Sequence, residues 1–300
     1  MEQLKPADEA ELDRILGSLD PIDVVTAERL LKETKQVMDQ AAVPFFLRQG
    51  TCLGAIRDNA LIPWDDDVDI GSVFGLHVFS EETVVSVART LRERGFVLKI
   101  ERNDHCLCVA MAKESIRIEW SCYWVIDDAV FMYPGMRIPV HLLTDLKEID
   151  FLGEKFLVPN PPEDYLEAKY GPEWHVPKSA GAYEEDILDL IPDAPAPGRS
   201  GRLKQFLTRY LQWWRAARVQ VLDQQGRPVS GARILVAGIG ISRASRQGVV
   251  RLYIPRVDYY ALVVTFDDHR GVLYMEKVGP GQSYLYRQGE EHLLAVDGTN

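Results

Sequence analysis

The stretch QGTCLGAIRDNALIPWDDDVDIG, residues 49–71, decides how the first half of this chain folds. It joins a glycine turn and a short helical segment to a loop at Pro63 and a dense run of carboxylates. The last two carboxylates, Asp67 and Asp69, flank Val68, and the alternation is typical of a β-strand. Residues two apart on a strand point to the same side, so we expect these two side chains to converge.

Two carboxylates held close together repel each other unless a cation lies between them. Mg²⁺ suits such a pair where phosphate oxygens complete its coordination shell, and Mn²⁺ is an alternative. A solvated loop or a calcium loop is the other interpretation of an acidic run, but the spacing lacks the Gly and Glu of an EF-hand. We therefore predict a metal site at Asp67 and Asp69, with Asp65 binding the metal or orienting a ligand.

The residues before the acidic run offer a place for phosphate. Their pattern predicts a strand over residues 45–49, a sharp turn at Gly50, and a helix with Thr51 as its N-cap. Unpaired N–H groups at a helix N-terminus attract anions, so Gly50 and Thr51 are candidate phosphate-binding residues. Arg48 and Arg57 are further candidates because a guanidinium binds phosphate through paired hydrogen bonds. For Arg57, a salt bridge to the acidic run is the alternative.

These motifs resemble those of a known family. Residues 50–57, GTCLGAIR, and 62–71, IPWDDDVDIG, are similar to the signature of LicD-type phosphotransferases, relatives of fukutin in the nucleotidyltransferase superfamily. A second similarity lies in residues 143–174, so that the resemblance covers about residues 43–178. It implies a nucleotidyltransferase-type mixed sheet flanked by helices. It also implies transfer of a phospho-substituent from a CDP-linked donor to a hydroxyl, usually on a glycan.

Glu119 is the third carboxylate of the predicted site. It lies in SIRIEW, residues 115–120, whose alternation predicts a strand that should lie beside the strand of Asp67 and Asp69. The resemblance implies a carboxylate, commonly Asp, at the matching position, as a metal ligand or as the base for the acceptor hydroxyl. Taken without the upstream motif, this residue is more typical of a solvent-facing Glu on a half-exposed strand. The predicted catalytic and metal-binding set is thus Asp67, Asp69 and Glu119.

The four cysteines are too few for a disulfide scaffold in a chain of 300 residues. Cys106 and Cys108 alternate on a predicted strand, so their thiols should face the same way. A zinc site with Cys122 or His105 is an alternative, but the spacing is not that of a standard zinc motif. Buried, reduced cysteines are the favoured interpretation.

The fold class is α+β, with a nucleotidyltransferase-type catalytic domain over residues 1–190 and a small all-β sandwich over 218–290. The Pro- and Gly-rich residues 191–201 are the predicted linker. Residues 202–217 form a predicted basic amphipathic helix, which would dock onto a domain or, through residues 202–218, contact an anionic membrane surface. The short strands of the last segment resemble carboxypeptidase-regulatory-like and Cna-B-like domains, which are usually non-catalytic.

Charge is unevenly distributed along the chain. The net charge is −11; residues 201–300 hold 14 Lys and Arg against 8 Asp and Glu, whereas residues 1–200 hold 20 against 37. The acidic excess argues against nucleic acid as a partner, because a polyanion would be repelled. With neither a span-length apolar run nor a signal-peptide core, the expected location is cytoplasmic, with the inner face of the membrane as a further possibility.

Together these features predict an Mg²⁺-dependent transferase of cell-surface glycan synthesis. The donor implied by the resemblance is CDP-linked, and the transferred group is phosphocholine or a polyol phosphate. The acceptor is a hydroxyl of a glycan or of its lipid-linked precursor. Two alternatives stay open: a nucleotidyltransferase that adds a nucleotide to a small acceptor, and a non-catalytic protein that binds nucleotides or glycans.

Overall fold

The computed structural model describes residues 20–178, 216–290 and 292–296, together with the separate positions 12, 14, 15, 187, 188, 190 and 191. The described residues divide into two compact units, the first holding those up to 131 and from 138 to 178. The second holds residues 132–137 and those from 187 onward. Most of the predicted linker and basic helix lies outside the described residues, so the predicted domain boundaries stay predictions.

The first unit is built on a five-stranded mixed sheet of order β1-β2-β5-β4-β3. Its strands are β1 Phe46–Leu47, β2 Val68–Val73, β3 Val97–Arg102, β4 Cys106–Lys113 and β5 Ile116–Tyr123. β2 and β5 run parallel, and the other neighbours are antiparallel. Every residue of β2 is buried, as a strand covered on both faces requires.

Four α-helices accompany this sheet among the described residues: α1 Val24–Gln40, α2 Gln49–Arg57, α3 Glu81–Glu93 and α4 Pro162–Tyr170. Asp23 caps α1, and Ser80 with Thr83 forms a capping box on α3. Each of these two helices buries an apolar face. A mixed sheet flanked by helices confirms the predicted fold class of this part of the chain.

Two hairpins and a short helical turn follow β5 in the sequence, and residues 132–137 of the first hairpin belong to the second unit. One hairpin joins β6 Ala129–Met132 to β7 Met136–Pro139, and the other joins β8 Lys147–Phe151 to β9 Glu154–Val158. A 3₁₀ helix, Val140–Leu143, lies between them in the sequence. It precedes the segment that leads to α4.

The second unit contains two four-stranded sheets, with orders β13-β10-β16-β17 and β12-β11-β14-β15. The strands are β10 Ala217–Leu222, β11 Arg233–Val236, β12 Gly240–Arg243, β13 Val249–Leu252, β14 Asp258–Phe266, β15 His269–Val278, β16 Ser283–Arg287 and β17 Leu294–Val296. Residues of both sheets, such as Val219 and Leu262, share one apolar core. The predicted strand-rich C-terminal part is confirmed, and its likeness to particular domain families stays a prediction.

Local corrections concern where elements begin and end. The strand predicted over residues 45–49 is only Phe46–Leu47, because the chain turns into α2 at Gln49, whose φ is +47°. Ala217, the last residue of the predicted basic helix, begins β10 instead. A tight turn at Asp267 joins β14 to β15. None of the helices described here has the length and apolar content needed to span a bilayer.

Candidate active site

Asp69 and Glu119 lie directly opposite each other on the parallel strands β2 and β5. Residues in register on neighbouring strands project to the same face of a sheet, so the two carboxylates share one face. Asp69 is buried, whereas 41% of the Glu119 side chain is exposed. The prediction that the strand of Glu119 lies beside that of Asp69 is confirmed.

A buried guanidinium joins these two carboxylates. Nη2 of Arg48 lies 2.6 Å from Oδ1 of Asp69 and 2.5 Å from Oε1 of Glu119. Its Nε donates a hydrogen bond of 3.1 Å to the carbonyl of Ile70. Because Arg48 is only 1% exposed, this geometry argues against its predicted role in binding phosphate. Each carboxylate still has a second oxygen, Oδ2 or Oε2, to offer to another ligand.

The acidic run forms a second group of carboxylates just before β2. Asp65, Asp66 and Asp67 each offer an oxygen, and these atoms lie within 4.8 Å of one another. Asp67 was expected on the strand, but β2 begins one residue later, at Val68. Asp67 is therefore the residue that immediately precedes β2, the strand that carries Asp69.

Arg117 on β5 holds this acidic run, and the sequence analysis missed it. Its guanidinium contacts the carboxylate of Asp66, and its Nε donates to the Asp66 carbonyl at 3.2 Å. The same group lies 3.8 Å from Asp67. The signal was present, because Arg117 stands two residues before Glu119 on an alternating strand and therefore faces the same side.

Gly50 allows the carboxylate of Asp65 to approach the first turn of α2. A Cβ atom at position 50 would lie 2.0 Å from Oδ2 of Asp65, so the Asp65 side chain would have to move. The protein's own carboxylate thus lies against the helix end where phosphate was predicted. A role for Gly50 in binding phosphate stays a prediction.

Thr51 holds α2 against β2. It lies in the first turn of α2 rather than at the N-cap, which is Arg48, so the predicted cap is wrong. Its Oγ1 accepts a hydrogen bond of 2.8 Å from the backbone N–H of Asp69. The residue is 2% exposed, and this buried contact argues against phosphate binding by its side chain. Thr51 instead fixes the backbone that carries Asp69.

Arg57, at the end of α2, forms an ion pair with the next residue. Its Nη2 lies 2.7 Å from Oδ2 of Asp58, and its Nε donates to Oδ1 at 3.0 Å. Asp58 lies outside the acidic run to which a salt bridge was considered. A phosphate-binding role for Arg57 stays a prediction.

The helix α4 supplies two buried groups to the same site. The hydroxyl of Tyr165 accepts a hydrogen bond of 3.0 Å from the backbone N–H of Gln49. The side chain of Lys169 is fully buried, and its charge favours the ionised form of Asp69. Burial, aided by the nearby charge of Arg48, lowers the pKa of Lys169 to about 7. The sequence analysis did not identify Lys169.

Burial and mutual repulsion raise the pKa values of Asp65, Asp67 and Asp69. Burial, opposed by Arg48 and reinforced by Glu119 and Asp65, raises the pKa of Asp69 to about 7. Burial, together with the charges of Asp69 and Asp66, also raises the pKa of Asp67. Burial next to Asp67 and Asp66 does the same for Asp65.

The group of Asp65, Asp66 and Asp67 fits a hard divalent cation, whereas Asp69 and Glu119 are not part of this group. All of its ligand atoms are carboxylate oxygens, the type that Mg²⁺ and Mn²⁺ prefer. Within the described ranges, no group containing Cys or His has the spacing of a metal site. All four cysteines are free thiols, and three of them are buried.

Comparison with known proteins places this site in a family context. Residues 42–161 match the family model described as LicD/FKTN/FKRP, nucleotidyltransferase domain. The mouse ribitol-5-phosphate transferase FKTN is 26% identical over 185 residues, which are 57% of this chain and 38% of that protein. The human ribitol 5-phosphate transferase FKRP is 29% identical over 157 residues, 48% of this chain and 32% of that protein.

A bacterial relative and a solved structure extend the comparison. The uncharacterized protein RP689 of Rickettsia prowazekii is 26% identical over 168 residues, 54% of this chain and 59% of that protein. The solution structure of antibiotic-resistance factor ANT(2'')-Ia covers 56% of this chain and 83% of its own, at 14% identity. Its TM-score of 0.36 is too low to support an inference.

The similarity to FKTN and FKRP covers only part of those proteins and only part of this chain. The chain spans 38% of mouse FKTN and 32% of human FKRP, so the activity of those proteins does not transfer as a whole. The matched segment nevertheless contains the acidic run, β2, Glu119 and Arg48. Residues 42–161 therefore match the nucleotidyltransferase domain of the LicD family, as the sequence motifs had indicated.

Proposed function

We propose that this chain is a transferase that moves a phospho-substituent from a CDP-linked donor to a hydroxyl of a glycan or of its lipid-linked precursor. The observation that carries the proposal is the placement of Asp69 opposite Glu119, with the acidic run directly before β2. The names of the two ribitol-phosphate transferases favour a polyol phosphate over phosphocholine as the transferred group.

Asp67 and Asp69 would hold a divalent ion, with Asp65 as a further ligand or as the residue that orients one. Mg²⁺ is the proposed ion and Mn²⁺ the alternative; when bound, it neutralises the charge of the donor's phosphates. Oδ1 of Asp69 is held by Arg48, so Oδ2 is the oxygen that would bind the ion.

Glu119 is the proposed base for the acceptor hydroxyl. It is the most exposed member of the set, so an incoming hydroxyl can reach it. Ser121 donates a hydrogen bond of 2.8 Å to Oε1, and Arg48 contacts the same oxygen. These two contacts orient the carboxylate and leave Oε2 to accept a proton.

Gly50 and Arg57 are the proposed phosphate-binding residues. Gly50 lies in the first turn of α2, where backbone N–H groups and the helix dipole favour an anion. Arg57 ends the same helix and would bind phosphate by exchanging its contact with Asp58. A donor phosphate at α2 would compete with the carboxylate of Asp65 for the same helix end.

The test is turnover with CDP-ribitol, Mg²⁺ and a panel of glycan acceptors. Asp67→Asn should reduce turnover to background, and Glu119→Gln should reduce kcat by about 100-fold or more, as loss of a general base does. Asp150→Asn, which alters an exposed carboxylate on β8, is the matched control and should retain normal activity. Near-normal turnover by Asp67→Asn would rule out the assigned metal site.

Product mass separates this reaction from the nucleotidyl-transfer alternative. A phospho-substituent transfer releases CMP, whereas nucleotidyl transfer leaves the nucleotide on the acceptor. The non-catalytic alternative predicts that CDP compounds raise the melting temperature while no acceptor yields a product. The same set of incubations therefore distinguishes all three functions.

A further inference from the structure

The second unit contains an open cleft of about 690 Å³ whose charged residues are all arginines. Arg218 of β10, Arg251 of β13 and Arg243 of β12 line it, and we call this the arginine cleft. Ser242, Gln247 and Tyr253 contribute polar groups to the same wall. Its lining contains neither Asp nor Glu, so its only charge is positive, and Ile241, Ala244 and Val249 add apolar surface.

The register of the strands places arginines directly against each other. Arg218 is the cross-strand partner of Arg251, and Arg233 is the cross-strand partner of Arg243. Like charges directly opposite each other destabilise a sheet. Two such pairs, each between an edge strand and its neighbour, are therefore unfavourable for folding when no anion is bound.

These arginines also lack carboxylate partners within the described part of the chain. No ion pair with a described Asp or Glu involves Arg218, Arg233, Arg243 or Arg251. Elsewhere in the same unit, Arg227 pairs with Asp223, and Arg256 pairs with Asp258. Residues 201–215, which precede β10 in the sequence, contain four Lys and Arg and no acid, so they add positive charge.

We propose that the arginine cleft binds a phosphate-bearing saccharide or polyol chain. A guanidinium binds phosphate through two parallel hydrogen bonds, and Arg218 beside Arg251 offers two such groups side by side. The hydroxyls and amide of Ser242, Tyr253 and Gln247 match the hydroxyls of a sugar or polyol.

Nucleic acid is the less suitable polyanion for this cleft. Residues 1–200 carry 37 Asp and Glu against 20 Lys and Arg, so a long polyanion is repelled by most of the chain. A short chain with a few phosphates avoids that repulsion. The choice of a saccharide or polyol as ligand rests on the proposed function, whereas the binding of phosphate does not.

The experiment measures binding of a glycerol phosphate oligomer to the full chain by calorimetry. Asp67→Asn is the background, so that turnover cannot interfere. In this background, Arg218→Gln with Arg251→Gln should weaken binding by about 10-fold or more, since two charged contacts are lost. Arg227→Gln with Arg256→Gln removes the same charge from paired arginines and should change the affinity by less than about 2-fold.

Equal affinity of the two double variants would overturn the proposal, because it would show that only net charge matters. Comparable binding of a neutral dextran, or of an oligonucleotide with the same number of phosphates, would overturn the ligand assignment. Arg218→Gln with Arg251→Gln removes a repulsion, so its melting temperature should not fall; a fall would contradict the unpaired state of these arginines. If the wild-type chain shows no turnover but binding still requires Arg218 and Arg251, the proposed function fails while the arginine cleft stands.

Discussion

The guanidinium of Arg48 lies 2.6 Å from the carboxylate of Asp69, and both side chains are almost completely buried. Arg48 immediately precedes α2, and Asp69 is the second residue of β2. The pair therefore ties the helix that faces the acidic run to the strand that follows it. It also sets which oxygen of Asp69 remains for a ligand.

Replacing Arg48 with Met should destabilise the chain strongly. The substitution leaves Asp69 buried without its counter-charge, a change that costs about 3–5 kcal/mol in unfolding free energy. Arg29→Met is the matched control, because Arg29 forms an exposed ion pair with Glu114 and should matter by less than about 1 kcal/mol. Urea unfolding of the three proteins gives both values. Similar losses of unfolding free energy from the two variants would contradict the prediction that burial makes the Arg48–Asp69 pair more important than an exposed ion pair.

Gly50→Ala should be harmful only while Asp65 is present. The added Cβ would overlap Oδ2 of Asp65, and we expect a cost of about 1–3 kcal/mol from overpacking. In an Asp65→Ala background, the same change should stabilise α2 by up to about 1 kcal/mol, since Ala favours helix over Gly. A double-mutant cycle by chemical denaturation measures this coupling. Equal effects of Gly50→Ala in both backgrounds would contradict the contact.

Periodicity explains how far the sequence could predict this site. Alternation at Asp69 and at Glu119 placed both residues on strands, and the two strands pair as expected. Arg48 and Lys169 carry no such local signal. Arg48 precedes Asp69 by 21 residues and Lys169 follows it by 100, so only the folded sheet and α4 bring them together. Sequence periodicity alone therefore does not predict buried charged residues that reach the site through tertiary contacts.

The sequence also predicted the ends of helices and strands less well, and the reason is physical. Thr51 follows a glycine and has the chemistry of an N-cap, yet its hydroxyl accepts the N–H of Asp69 instead. A contact with a strand that comes later in the sequence thus prevailed over a local capping preference. The same holds for Gln49, whose N–H is satisfied by Tyr165 rather than by strand pairing.

Binding of Mg²⁺ should weaken as the pH falls through about 7. Asp69 has a pKa raised to about 7, and a carboxylate must lose its proton to bind a metal. Mg²⁺ should therefore raise the melting temperature more at pH 8 than at pH 6. Without metal, the folded state binds more protons than the unfolded state between about pH 4 and 7, so stability falls as the pH rises there. An Mg²⁺ effect of equal size at both pH values would exclude Asp69 as a ligand.

Lys169→Met should shift this pH dependence upward. The charge of Lys169 lowers the pKa of Asp69, so its loss raises that pKa and moves the midpoint of Mg²⁺ binding to higher pH. The pKa of Lys169 itself is lowered to about 7 in the folded chain. Between about pH 7 and 10 this lysine is therefore protonated in the unfolded chain but not in the folded one, so its contribution makes wild-type stability rise with pH across that range. The variant should lose this slope, whereas Lys155→Met, which alters an exposed lysine of β9, should keep it. Melting curves across this pH range, with and without Mg²⁺, measure both effects. An unchanged midpoint together with an unchanged slope would show that Lys169 does not act on Asp69.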